Sequence, residues 1–201
     1  MRVAALIPVK GFDAAKGRLA GVLDTSERAS LARWVATTVV EALDPIDVFV
    51  ACDDPVVRTW ATALGATVAW GPGLGLNGAI DDGVATIAEA GFDHVLITHA
   101  DLPRPSSLLA VARCDTVTLV PDRRRDGTNV MAFPVSDPVE ASYGPGSFRR
   151  HFAAAAATAH AVEVRVDPDL SLDIDTADDL RHPQIDEVLP PWLRTILASR
   201  P

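Results

Sequence analysis

The chain has 201 residues, 48% of them hydrophobic and 22% charged, with a formal net charge of −9. That is the length and composition of one soluble globular domain, and the sign of the charge disfavours partners such as nucleic acid or an anionic membrane. No apolar run approaches the roughly 18 residues needed to span a bilayer. Two cysteines, Cys52 and Cys114, are too few for a disulfide framework or a four-thiolate zinc site, so a reducing cytoplasmic setting is expected.

In chain order, Val3–Pro8 reads as a buried strand that runs into Lys10. Ser26–Leu43 carries Leu31, Trp34, Val35, Val39 and Leu43 at helical spacing behind a Thr25/Ser26 cap. Asp47–Ala51 is strand-like, and Asp53-Asp54-Pro55 opens a helix that stops at Gly65. Ala66–Trp70 is a short strand before the glycine-rich loop Gly71–Gly75. Asn77–Ala90 reads as a helix closed by Gly91, and His94–Thr98 as a buried strand ending near Asp101. Strands at Thr116–Pro121 and Asn129–Phe133 follow, then a helix through Phe148–Ala157 with its five-alanine run. Ala161–Val166 is the last strand and Thr176–Leu180 a short helix. The tail Pro190–Ser199 is one or two amphipathic turns that pack on the body or on a partner chain.

Repeated strand–helix units imply an α/β fold: a single domain over residues 1–201, with a mostly parallel, doubly wound sheet. Ligands in such sheets bind beyond the carboxyl ends of the strands, and Lys10, Asp53, Asp101 and Asp173 lie at strand ends in this reading.

Five stretches carry chemistry. In Pro8-Val9-Lys10 through Ala15-Lys16-Gly17-Arg18-Leu19, three cations leave the first strand within nine residues. A polyphosphate needs positive charge at several oxygens, although a solvated loop would look similar. Only two of the 18 basic residues are lysines, Lys10 and Lys16. Their pairing reflects either an arginine-favouring codon usage or a need for compact ammonium groups.

In His99-Ala100-Asp101-Leu102-Pro103, an aspartate after a buried strand suits Mg²⁺ shared with substrate phosphates, or else a helix cap. In Ser171–Leu180, Asp173 and Asp175 point to one side in extended conformation. Two such carboxylates repel unless a cation joins them, while Thr176 and Asp179 form a capping-box pattern. In Gly71–Gly78 the glycines allow close backbone approach, and Asn77 either reads a base edge or caps its helix. Finally, Asp126-Gly127-Thr128-Asn129 and Tyr143-Gly144-Pro145-Gly146-Ser147 combine glycine with hydroxyl groups. Free N–H groups at a helix start suit a phosphate or carboxylate, and a plain serine cap is the alternative.

Together these blocks, PVK with AKGRL, LNGAI, ADLP, PDR…DGTN, YGPGSFRRHF and SLDIDTADDL, resemble the guanylyltransferases of deazaflavin coenzyme F-420 biosynthesis. That family acts on 2-phospho-L-lactate, phosphoenolpyruvate or 3-phosphoglycerate. The resemblance runs in order to Pro183 and leaves the tail 184–201 without a counterpart. It implies a nucleotide-diphospho-sugar-transferase-like fold, GTP as co-substrate, a Mg²⁺ cofactor and pyrophosphate as by-product.

Carried over residue by residue, it makes Asp101 and Asp173 the metal ligands with Asp175 assisting. Lys10 meets substrate and triphosphate charge, supported by Lys16 and Arg18. Thr128, Gly144 and Ser147 hold the acceptor's phosphate and carboxylate, and Asn77 lies near guanine or ribose. Arg123–Arg125 and Arg104 depart from the family pattern, which bears on acceptor choice or on a surface contact. The expected partners are GTP and a small phosphorylated carboxylic acid, with association into a homo-oligomer left open. The competing readings are a molybdopterin-type or sugar-1-phosphate nucleotidyltransferase, and a catalytically silent nucleotide-binding module.

Overall fold

A computed structural model describes residues 1–113 and 115–200; Cys114, half of the cysteine argument, and Pro201 lie outside the described residues. Seven strands form one sheet: β1 (Val3–Pro8), β2 (Asp47–Cys52), β3 (Thr67–Trp70), β4 (His94–Thr98), β5 (Thr116–Pro121), β6 (Thr128–Pro134) and β7 (Ala161–Val164), in the order β3-β2-β1-β4-β6-β5-β7. β1 pairs parallel with β2 and β4, β2 with β3, and β5 with β7. β6 alone is reversed, antiparallel to both β4 and β5.

The helices are α1 (Thr25–Glu41), α2 (Pro55–Ala63), α3 (Gly75–Glu89), α4 (Ser147–Ala155), α5 (Ala177–Leu180), α6 (Pro183–Asp186) and α7 (Pro191–Ala198). Alternation along each strand divides the apolar residues between two faces. On β1, Ala5 and Ile7 face α1 and α2, packing with Val39, Val57 and Trp60. Ala4 and Leu6 face α3, packing with Ile80, Val84 and Ile87. That second contact is close: a Cβ on Gly83 would lie 2.7 Å from Leu6 Cδ1, so a larger residue there would force the buried Leu6 side chain to shift. A third cluster unites Leu19, Leu31, Leu172, Ile174, Leu180, Ile185, Leu189 and Leu193.

Several expectations shift. α1 is capped one residue earlier than Thr25: the Asp24 carboxylate accepts from Glu27 N at 2.9 Å, and Glu27 Oε2 accepts from Asp24 N at 2.7 Å. That reciprocal pair satisfies two otherwise open N–H groups and outcompetes a hydroxyl cap. α3 begins at Gly75, so Asn77 is inside the helix rather than at its cap. β7 ends at Val164, which leaves Asp173 on an irregular segment, not at a strand end. The four-residue α6 is too short to show a period, and the tail packs inward through Ile185, Leu189 and Leu193.

Candidate active site

The chain order turns outward in two directions between β1 and β4, and the crevice beyond their carboxyl ends is where an α/β sheet offers space for a ligand. There the structure has a cleft of about 610 Å³, lined by Lys10, Lys16, Arg18, Asp101, Asp173 and Asp175 together with Asn129, Tyr143, Gly144 and Ser147. A smaller pocket of about 310 Å³ adjoins it at Lys10 and Leu76, between the ends of β1 and β2, Asp53, Gly71 and the start of α3. The reversal of β6 explains the far wall. Its first residues, not its last, meet the carboxyl edge, which brings Gly127 and Asn129 to the cleft.

Asp101 follows the fully buried β4 by three residues. Burial alone would raise its carboxyl, but the Lys16 ammonium, 2.7 Å from Oδ2, together with His99 and a backbone hydrogen bond, outweighs that and holds it below the usual carboxylate range. Its other oxygen, Oδ1, is buried without a hydrogen-bond partner among the described residues, with His99 Nδ1 4.0 Å away. The segment carrying Asp173 and Asp175 is docked beside it by Ile174 N, which donates to Asp101 O at 3.1 Å. One carboxylate oxygen from each of Asp101, Asp173 and Asp175 lies within 4.8 Å of the other two. Burial, then the neighbouring carboxylates of Asp101, Asp175 and Asp179, push the Asp173 carboxyl up to about 7.

An orphaned buried oxygen and mutually repelling carboxylates are what a hard divalent cation relieves, so these residues fit a metal ion of the Mg²⁺ type. Two cations already reach the trio. Lys16 Nζ is 3.8 Å from Asp175 Oδ1, and Arg18 Nη1 donates to Asp175 Oδ2 at 2.9 Å. Lys16 sits at φ 56°, a left-handed conformation that β-carbon-bearing residues adopt at a cost, at the turn into the short 3₁₀ segment Gly17–Leu19.

The two lysines therefore differ. Lys16 is paired to carboxylates, whereas Lys10, exposed at the mouth of both pockets, makes no ion pair among the described residues.

Two expected contacts are displaced. Thr128 is fully buried behind the wall, where its hydroxyl lies 2.9 Å from His151 Nδ1; Asn129 faces the cleft instead. Asn77 is turned to the Tyr143 backbone, accepting from its N–H at 2.8 Å and donating to its carbonyl at 3.4 Å. It holds the wall in place and does not line either pocket. Gly144 and Ser147 do line the cleft, at a loop that needs positive φ at Gly144 (123°) and Gly146 (71°).

Two of the four departing arginines, Arg104 and Arg123, fasten distant parts of the chain. Arg104 Nε donates to Asp169 Oδ1 at 2.6 Å, and Arg123 bonds the carboxylate of Asp179. Asp179 Oδ2 in turn accepts from the backbone of Asp175 and Thr176, the capping pattern read from the sequence. The sequence reading included Asn129 and Tyr143 in its glycine-and-hydroxyl stretches without giving either a role, and it passed over His151. The available signal for His151 was its place one turn after Ser147 on the same helix face.

The chain has relatives among known proteins. Residues 3–185 match the family described as "Guanylyl transferase CofC like". The chain is 38% identical to the phosphoenolpyruvate guanylyltransferase of Conexibacter woesei over 212 residues, covering 100% of this chain and 91% of that one. It is 35% identical to the phosphoenolpyruvate guanylyltransferase of Rubrobacter xylanophilus over 189 residues, covering 90% and 92%. Among solved structures, a protein assigned as a nucleotide-diphospho-sugar transferase from Desulfovibrio desulfuricans aligns with a TM-score of 0.77 at 19% identity, over 98% of this chain and 94% of that one. A nucleotidyl transferase from Methanothermobacter aligns with a TM-score of 0.62 at 16% identity, over 96% and 99%. At such low identities the structural likeness speaks for the fold, which is that of the nucleotide-diphospho-sugar transferases. From the extent of the sequence match, the chain belongs to the CofC-like guanylyltransferase family and is a nucleotidyltransferase.

Proposed function

We propose that the enzyme transfers GMP from GTP to phosphoenolpyruvate or a closely related phospho-acid, with release of pyrophosphate. One observation carries this reading: an aspartate trio that fits a divalent cation and an exposed lysine, Lys10, face the same cleft as a glycine-rich, hydroxyl-bearing helix start. The names of the relatives support the acceptor. 2-Phospho-L-lactate is the second acceptor to test, and assembly of a deazaflavin coenzyme is the corresponding use of the product.

In the reaction an oxygen of the acceptor's phosphate attacks the α-phosphorus of GTP. The bond from that phosphorus to the oxygen bridging to the β-phosphate breaks, and pyrophosphate departs with the electron pair. The nucleophile is already an anion, so no side chain has to remove a proton. The protein contributes alignment and charge.

Asp101, Asp173 and Asp175 would hold Mg²⁺, which supplies charge neutralisation at the phosphates. Lys10 bonds phosphate oxygens between the two pockets. Lys16 and Arg18 balance the carboxylates. The Gly144–Ser147 loop offers the Ser147 hydroxyl to the acceptor, beside Asn129, while its Gly146 and Ser147 N–H groups are already bonded to Asp126 Oδ2 and Gly144 O and fix the loop's shape. The smaller pocket by Asp53 and the start of α3 accommodates the nucleoside, which Asn77 serves only through the wall it holds.

The decisive assay is pyrophosphate release with GTP, ATP or CTP, each with Mg²⁺, against phosphoenolpyruvate, 2-phospho-L-lactate, 3-phosphoglycerate and a sugar 1-phosphate. Release confined to GTP with a phospho-acid is the expected result. Release with the sugar phosphate, or GTP binding without release for any acid, would overturn the reading.

A further inference from the structure

The wall that faces the aspartates is an irregular loop, Ser142–Gly146, and irregular backbone needs side chains to fix it. One of them, His151 on α4, is fully buried and uses both ring nitrogens. Ser142 N donates to Nε2 at 3.0 Å, and Nδ1 lies 2.9 Å from Thr128 Oγ1.

A backbone N–H can only donate, so Nε2 is the acceptor and the ring hydrogen sits on Nδ1, directed at the Thr128 hydroxyl. The ring also packs edge-on against Tyr143, centroid to centroid 4.6 Å. A single neutral tautomer on α4 thus joins the first residue of β6 to the cleft-lining loop that leads into that helix.

We propose that His151 is a positioning residue for acceptor binding: by accepting the Ser142 N–H it sets the Tyr143–Gly144 backbone and Ser147 at the spacing a phospho-acid requires. This rests on the reading that the loop holds the acceptor. His151 itself does not line the cleft and touches no reacting atom.

The two nitrogens can be separated by substitution, because an asparagine amide reaches about as far as Nδ1 and a glutamine amide about as far as Nε2. His151→Asn keeps a donor for Thr128 and loses the Ser142 acceptor; His151→Gln restores that acceptor. Loss of one such bond is worth about a factor of ten.

The test measures KM for phosphoenolpyruvate and for GTP in the intact enzyme, with amide hydrogen exchange at Ser142. The expected result is an acceptor KM about tenfold higher in His151→Asn at unchanged GTP KM, faster exchange at Ser142, and return of both toward wild type in His151→Gln. Unaltered exchange, equal rises in both KM values, or no rescue by glutamine would overturn the positioning role. Faster exchange with an unaltered acceptor KM would instead overturn the placement of the acceptor on this loop.

Discussion

The two halves of the carboxylate trio are mounted in opposite ways. Asp101 stands just beyond β4, a strand buried along its whole length and paired on both sides. Asp173 and Asp175 stand on a segment with no regular structure, carried by Leu172 and Ile174, which plug into the third apolar cluster with the tail residues Leu189 and Leu193. Lys16, next to Leu19 of that same cluster, bridges the two mountings. A parallel sheet supplies a fixed edge, but it supplies few ligands per strand. The rest of a polydentate site has to be brought to it by a separately packed piece of chain. The electrostatics follow the division, with Asp101 held low by Lys16 and Asp173 raised among its neighbours.

The harshest break in this arrangement is Asp101→Asn. It removes the negative charge facing Lys16 at 2.7 Å and leaves that ammonium only Asp175, 3.8 Å away, so Mg²⁺-dependent turnover should fall by about 10³-fold or more, with circular dichroism unchanged. Full activity would sink the metal assignment.

A subtler break compares cores. Leu193→Ala and Ile87→Ala each delete a fully buried aliphatic side chain and should each cost about 2–5 kcal/mol in denaturant unfolding. Only Leu193→Ala should also raise the Mg²⁺ concentration needed for half-maximal rate, because only it loosens the Asp173 segment. Equal metal dependence in both variants would show the two mountings to be energetically alike.

The lysines sharpen the comparison next. The Lys16 side chain is only 8% exposed between Asp101 and Asp175, and a planar guanidinium does not occupy the same space as a compact ammonium. Lys16→Arg should lower kcat about tenfold, while the exposed Lys10→Arg should act less, and mainly on the KM for GTP. An unaffected Lys16→Arg enzyme would return the scarcity of lysine in this chain to codon usage.

The smallest effect lies at the other end of β4. Burial pushes the His94 imidazole down to about 4 from its ordinary 6.5, so the fold favours the neutral ring. The unfolded chain then binds the extra proton first. Stability from this group is fully present above about pH 6.5 and lost as the pH falls toward 4. His94→Gln should flatten that part of the stability–pH curve without altering the kinetics. A slope that survives the substitution would assign it to another group.

Much of the sheet-borne half could be read from the chain. Val95–Thr98 followed by His-Ala-Asp-Leu-Pro announces a buried strand and its exposed end, because burial on both faces writes a continuous apolar run. The capping pattern of Thr176 and Asp179 was equally local. What stayed hidden was tertiary. The reversal of β6 leaves no mark in a short apolar strand, yet it decides that Asn129 meets the cleft while Thr128 turns behind it. Asn77 looked like a base reader or a helix cap, because both uses are local, and only the fold brings the Tyr143 backbone to it. Arg104 and Arg123 looked like departures at the acceptor, but their partners, Asp169 and Asp179, lie more than fifty positions away.

The single reversed strand also divides the labour of the cleft along the chain. In the proposed reading, the nucleoside side is built from the first three strands and α3, while the acceptor side hangs on the β5–β6 connection and the helix start it touches. A change of length or sequence between Asp122 and Gly127 is therefore insulated from the parallel strands that shape the donor pocket. Such an enzyme can alter which acid receives the nucleotide by editing one hairpin, without renegotiating which nucleotide is given.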